Sequence, residues 1–118
     1  MTLEPPCWPL FVFGTLRYGH QNHHFLENRY VERIPASLPG YRRVAELMID
    51  RDPKGRVEGE LFLLDPGRYA ETLAGCDGLE EIPPGQLSGS EYERRLVVVE
   101  TTSGRCQAWA YVRPDFPA

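Results

Sequence analysis

The stretch Leu10-Phe11-Val12-Phe13-Gly14-Thr15-Leu16-Arg17-Tyr18-Gly19 decides the fold. Leu10 to Phe13 is apolar at every position and mixes aromatic with β-branched side chains, the pattern of a buried strand. Gly14 ends it in a turn. With no Cβ at Gly14 the backbone can approach a ligand closely, and the N–H groups that follow can converge on a carboxylate or an oxyanion. The spacing G-x-x-x-x-G-K is missing, so the loop is not a phosphate cradle.

Reading outward from that strand, His20 to Asn28 lacks Gly and Pro and is long enough for about two helical turns. Tyr30 to Ile34 alternates apolar and charged residues, as a strand closed by Pro35 would. Pro39-Gly40 marks a turn, and Arg43 to Ile49 reads as a further strand. Asp50-Arg51-Asp52-Pro53-Lys54-Gly55 has the composition of a hairpin loop. Val57 to Leu64 is the clearest strand. Asp65-Pro66 then supplies an N-cap and a first-turn proline for a helix through Tyr69, Leu73 and Cys76.

Ile82 to Gly89, with two prolines and two glycines, is a loop. Tyr92 to Thr101 and Gln107 to Arg113 form a long antiparallel hairpin about the Ser103-Gly104 turn, and the tail from Pro114 to Ala118 ends the fold. About six strands and two short helices in so short a chain give an α+β class. The expected architecture is a small mixed, mostly antiparallel β-barrel with short flanking helices.

With 118 residues the chain suits one domain, residues 1–118, around one core. The net charge of −4 comes from interspersed acids and arginines, so no basic face invites nucleic acid. Apolar runs are too short to span a bilayer. The start, Met1 to Pro6, lacks the basic and apolar segments of a signal peptide. A cytoplasmic protein is expected, and, for a small barrel, a monomer.

Three places could carry chemistry. The first is the Gly14-Thr15 turn, although a strand followed by such a turn is common. The second is Asp77-Gly78-Leu79-Glu80-Glu81, where a partly buried carboxylate would be raised above its usual pKa and exchange protons near neutrality. Its plain alternative is a solvated helix end. The third is His20, His23 and His24, which could share a helix face. No acid or cysteine stands at metal-ligand spacing, and pairing at a loop–helix junction explains them more simply. Cys7, Cys76 and Cys106 are odd in number and scattered, so no disulfide framework, zinc site or nucleophile motif is expected.

In order, several segments resemble the gamma-glutamylcyclotransferase-like family, which includes the AIG2-like proteins. They are Leu10 to Gly19 with His23 and Leu26, Gly55 to Phe62, Cys76 to Glu80, Tyr92 to Val99, and Ala108 to Val112. The resemblance implies a small barrel with a cavity at the first-strand loop. It also implies cyclisation of a gamma-glutamyl compound to 5-oxoproline with release of an amine, without cofactor or metal. Carried over by position, Gly14, Thr15 and Leu16 would bind the glutamyl end through backbone amides, beside Phe13. Glu80 would be the general acid/base, and Tyr92 a pocket wall.

This sequence departs from the family twice. Phe13 stands where the family loop has tyrosine, and Glu81 where glycine follows the acid. A second carboxylate there would disfavour ionisation of Glu80 if both faced one cavity. Two rival readings follow. One is a non-catalytic ligand-binding module on the same scaffold, which the lost tyrosine hydroxyl would suit. The other is a structural domain, in which no cavity would join the loop to the acid.

Overall fold

The computed structural model describes residues 7–114. The readings made on Met1 to Pro6 and on the tail from Asp115 lie outside them. Five strands close into a barrel: β1 (Leu10–Val12), β2 (Tyr30–Ala45), β3 (Met48–Leu64), β4 (Glu93–Thr101) and β5 (Gly104–Val112), in the order β1-β3-β2-β4-β5. Neighbours are antiparallel except at the seam, where β1 runs parallel to β5 with Leu10 opposite Trp109. The α-helix α1 (Tyr69–Leu79) crosses outside, and a short 3-10 turn, His23–Phe25, sits beside it.

The deciding run behaves as its composition requires. Successive strand residues face opposite ways, so Phe11 and Phe13 join the apolar cluster with Leu38, Leu61, Val99 and Ala110 that fills the barrel. Leu10 and Val12 join a second cluster with Phe62, Leu73, Cys76 and Ile82, packed between the barrel wall and α1. β1 is thus buried on both faces. It lies on β3 in the register Phe11 to Leu61 and Val12 to Glu60. At that crossing Gly59 leaves no room for a side chain: a Cβ there would stand 2.3 Å from the Val12 carbonyl oxygen.

Two expectations about elements are corrected. Among the described residues there are five strands rather than six, because the β2–β3 ribbon runs through both turn signals. The chain actually reverses at Glu46-Leu47, where Ala45 faces Met48. Pro39-Gly40 and Asp52 to Gly55 stand instead at a bulge, where the register jumps from Pro39↔Arg56 to Tyr41↔Arg51. The local turn at Asp52 is real, since its carboxylate accepts from the Lys54 N–H at 2.9 Å, but it projects from a strand that continues. The His20 to Asn28 helix shrinks to the 3-10 turn. Two of its histidines are drawn into ring packing instead, His23 against Tyr18, Tyr30 and Phe62, and His24 against Phe25.

The second helix forms where its caps place it. The Asp65 carboxylate accepts from the Gly67 N–H at 3.0 Å, and Pro66 opens a 3-10 turn that leads into α1. Among the described residues no helix is long and apolar enough to cross a membrane.

Candidate active site

One end of α1 is bolted to the barrel. The Asp77 carboxylate accepts from Arg94 through Nε at 2.8 Å and Nη2 at 3.1 Å, and from the Tyr111 hydroxyl at 2.7 Å. Arg94 also lies 4.4 Å over the Trp109 ring. A bidentate, charge-assisted pair of this kind fixes direction as well as distance. Asp77 is therefore spoken for by structure, and it carries the next turn of chain into a fixed place.

That next turn is a Schellman cap. The Ile82 N–H donates to the Asp77 carbonyl at 2.9 Å and the Glu81 N–H to the Gly78 carbonyl at 3.1 Å, with Ile82 buried. The geometry puts Glu81 in the left-handed region, at φ 59°. A glycine is the natural occupant, so the departure at Glu81 is first of all a backbone strain. Replacing Glu81 by Gly should stabilise the fold by about 0.5–1 kcal/mol. Thermal melts at two pH values would check this, and a lower Tm in the glycine variant would contradict the cap.

The cap aims Glu80 at the first-strand loop. Phe13, Gly14, Thr15, Leu16, Glu80 and Tyr92 all border one cavity with an empty volume of about 410 Å³, its open mouth included. The Glu80 carboxyl is half-buried and pushed up to about 7, first by burial and then by the charge of Glu91. Glu81 is exposed and contributes nothing to that shift. The like charge expected at Glu81 thus comes from Glu91.

The loop is tied down by its carbonyls. The Gly14 carbonyl accepts from the Arg17 N–H at 3.1 Å and that of Thr15 from the Asn22 N–H at 2.9 Å. The Phe13 carbonyl accepts from the Arg43 guanidinium, which also stacks 5.3 Å over the Phe13 ring. Among the described residues no acceptor takes the N–H groups of Thr15 and Leu16. Tyr92 lines the cavity, its hydroxyl donating to the Leu47 carbonyl. Burial raises its pKa, with Glu80 and Glu91 adding to the effect.

Two residues of this site carried no signal in the sequence. Leu47 comes from a turn without Gly or Pro, and Glu91 from the loop before β4. The remaining candidates fall elsewhere. The His23 Nδ1–H donates to the Leu16 carbonyl at 3.1 Å, bracing the loop from behind. Cys76 is buried in the outer cluster, its thiol pushed up to about 12 by burial, which makes it unreactive. No group of three metal-ligating side chains occurs among the described residues.

A curated relative from Vibrio cholerae, named "Putative gamma-glutamylcyclotransferase", is 31% identical over 105 residues, covering 87% of this chain and 79% of its own. Among solved structures, YkqA from Bacillus subtilis superposes with a TM-score of 0.64 at 26% identity, over 90% of this chain but only 35% of its own length. A protein titled gamma-glutamyl cyclotransferase matches at a TM-score of 0.63 and 14% identity, over 93% of this chain and 68% of that one, a likeness of fold. The family model described as gamma-glutamyl cyclotransferase, AIG2-like, matches residues 10–117, and the chain belongs to that family.

Proposed function

We propose that the protein is a gamma-glutamylcyclotransferase that closes a gamma-glutamyl amino acid or amine to 5-oxoproline, with Glu80 as its general acid/base. The observation that carries this is one cavity bordered both by Thr15 and Leu16, whose amides are uncommitted, and by Glu80, whose carboxyl is held near neutrality.

The glutamyl carboxylate would be held by the Thr15 and Leu16 N–H groups, and Gly14 allows the approach. So anchored, the substrate folds its free α-amine onto its own γ-carbonyl. Such positioning supplies roughly 7–11 kcal/mol of a barrier. The carboxylate of Glu80 takes a proton from the attacking amine as the new C–N bond forms. It returns that proton to the departing nitrogen as the old C–N bond breaks. Atoms balance without added water, metal or cofactor. A carboxyl titrating near the working pH serves both halves of such a shuttle, because neither proton transfer is steeply uphill.

In this reading the enzyme acts as a monomer on small molecules, in the cytoplasm, without nucleic acid or membrane. Incubation with a panel of gamma-glutamyl amino acids and amines, followed by detection of 5-oxoproline, tests it. Binding without turnover of any member would favour the non-catalytic module.

The pH profile follows from the same carboxyl. Its ionised form accepts the first proton, so kcat/KM should rise with pH through about 7 in the free enzyme. Glu91→Gln removes the neighbouring charge that disfavours ionisation, and the rising limb should move to lower pH. A limb that stayed in place would mean that Glu91 does not act on Glu80.

A further inference from the structure

Leu47 is an odd residue for a hairpin tip. It is large, apolar and 46% exposed, yet the tip is pinned from two sides. The Tyr92 hydroxyl donates to the Leu47 carbonyl. Arg43, itself bonded to the Phe13 carbonyl, donates to the Glu46 carbonyl at 2.9 Å. The side chain rests on the loop, so that a Cβ at Gly14 would stand only 3.2 Å from Leu47 Cδ2. Tyr92, Arg43 of β2 and the first loop thus hold one leucine at the border of the cavity.

What it covers is a junction. Besides the 410 Å³ cavity, two further hollows open beside it, of about 540 and 610 Å³ with their mouths included. Leu47 and Thr15 border all three. Glu80 and Tyr92 border only the first and the 540 Å³ hollow, where Leu79 adds an apolar patch to a wall that also holds Asn22, Glu81 and Glu91. A carboxyl that must protonate the departing nitrogen has to stand beside it. In the cyclotransferase reading the departing group would extend from the first cavity past Glu80 into that hollow, along a border shared by Leu47, Thr15 and Tyr92.

We propose that Leu47 is a specificity-determining residue that limits the bulk of the amine released next to Glu80, with the Tyr92 hydroxyl as the latch that holds it in place. The proposal rests on the cyclotransferase reading for the direction of the departing group. Shortening the side chain should widen the space between the two hollows that it borders, and enlarging it should narrow that space. One or two methylenes of lost or gained room change discrimination by about tenfold or more.

The test compares gamma-glutamylmethylamide with gamma-glutamylbenzylamide in the wild type, Leu47→Ala, Leu47→Phe and Tyr92→Phe. Both 5-oxoproline formation and dissociation constants by ligand-observed NMR are measured. The benzyl-to-methyl ratio of kcat/KM should rise about tenfold in Leu47→Ala, fall in Leu47→Phe, and rise by a smaller factor in Tyr92→Phe. A ratio unchanged within about twofold in both Leu47 variants, with Tm preserved, overturns it. If the wild type turns over neither amide nor any member of the gamma-glutamyl panel, the cyclotransferase reading fails by itself. The ratio of dissociation constants then decides the role of Leu47, a constant ratio or absence of binding counting against it.

Discussion

Glu80→Gln should reduce 5-oxoproline formation by about a thousandfold or more, with substrate binding nearly unchanged. The amide keeps the size of the carboxyl and can still donate a hydrogen bond, but it can neither accept the proton of the attacking amine nor return one to the leaving nitrogen. The loop proposed to hold the glutamyl end is on another element, so affinity measured by ligand titration should survive. Residual activity near the wild-type level would take the role from Glu80. Asp77 is an unpromising successor, because Arg94 and Tyr111 already occupy its carboxylate, and Glu91 would be examined next.

The same variant has a signature in stability. The folded-state pKa of Glu80 lies near 7, above its ordinary value. The folded protein therefore binds this proton more tightly than the unfolded chain does. The stability this provides is full below the ordinary carboxylate range and is lost as pH rises towards 7. Glutamine has no such loss. Glu80→Gln should therefore melt higher than the wild type at pH 8, and the difference should shrink as the pH falls to 5. A Tm difference independent of pH would mean that the carboxyl is not held near neutrality.

The second large effect is expected far from any chemistry. Gly59→Ala should destabilise the fold by about 3 kcal/mol or more and lower Tm by about 10 °C or more. The added methyl would meet the Val12 carbonyl oxygen at 2.3 Å and the Phe11 ring at 2.8 Å. Neither can withdraw cheaply: Val12 is paired with β3, and Phe11 fills the barrel. Since the Gly14 loop hangs directly from β1, activity should fall with stability. A melt like that of the wild type would show that β1 does not cross β3 so closely.

These two effects also show what could be read from the residues. The β1 run and the β4–β5 hairpin were legible because every local signal agreed: an unbroken apolar run in one, alternation about a glycine turn in the other. The β2–β3 ribbon was not. Pro39-Gly40 and Pro53-Gly55 are turn chemistry by composition, yet pairing along the rest of both strands outweighs them and absorbs them as a bulge. The true reversal at Glu46-Leu47 has no residue that announces a turn.

The candidate site divides the same way. Gly14 to Leu16, Glu80 and Tyr92 could be named together only through the family resemblance, and the structure gathers them on one cavity. Leu47 was hidden because its turn was hidden, and Glu91 because an exposed loop acid looks like any other. Glu81 was visible as an anomaly but misread in kind. Its charge was the obvious property, whereas its positive φ appears only once the helix cap is built.

The parallel seam between β1 and β5 has a consequence for how the molecule comes into being. The Trp109 N–H bonds the Pro9 carbonyl at 2.8 Å, joining strands from opposite ends of the chain. During synthesis the Gly14 loop emerges before β5, so its supporting strand has only β3 to lean on until β5 follows. Contacts so distant in sequence form slowly, because the intervening chain must be ordered before they repay it. The nascent protein therefore passes through a stage in which Leu10 to Phe13 is an apolar strand with one open edge. That stage is when the chain is most exposed to aggregation, and when a chaperone has most to hold.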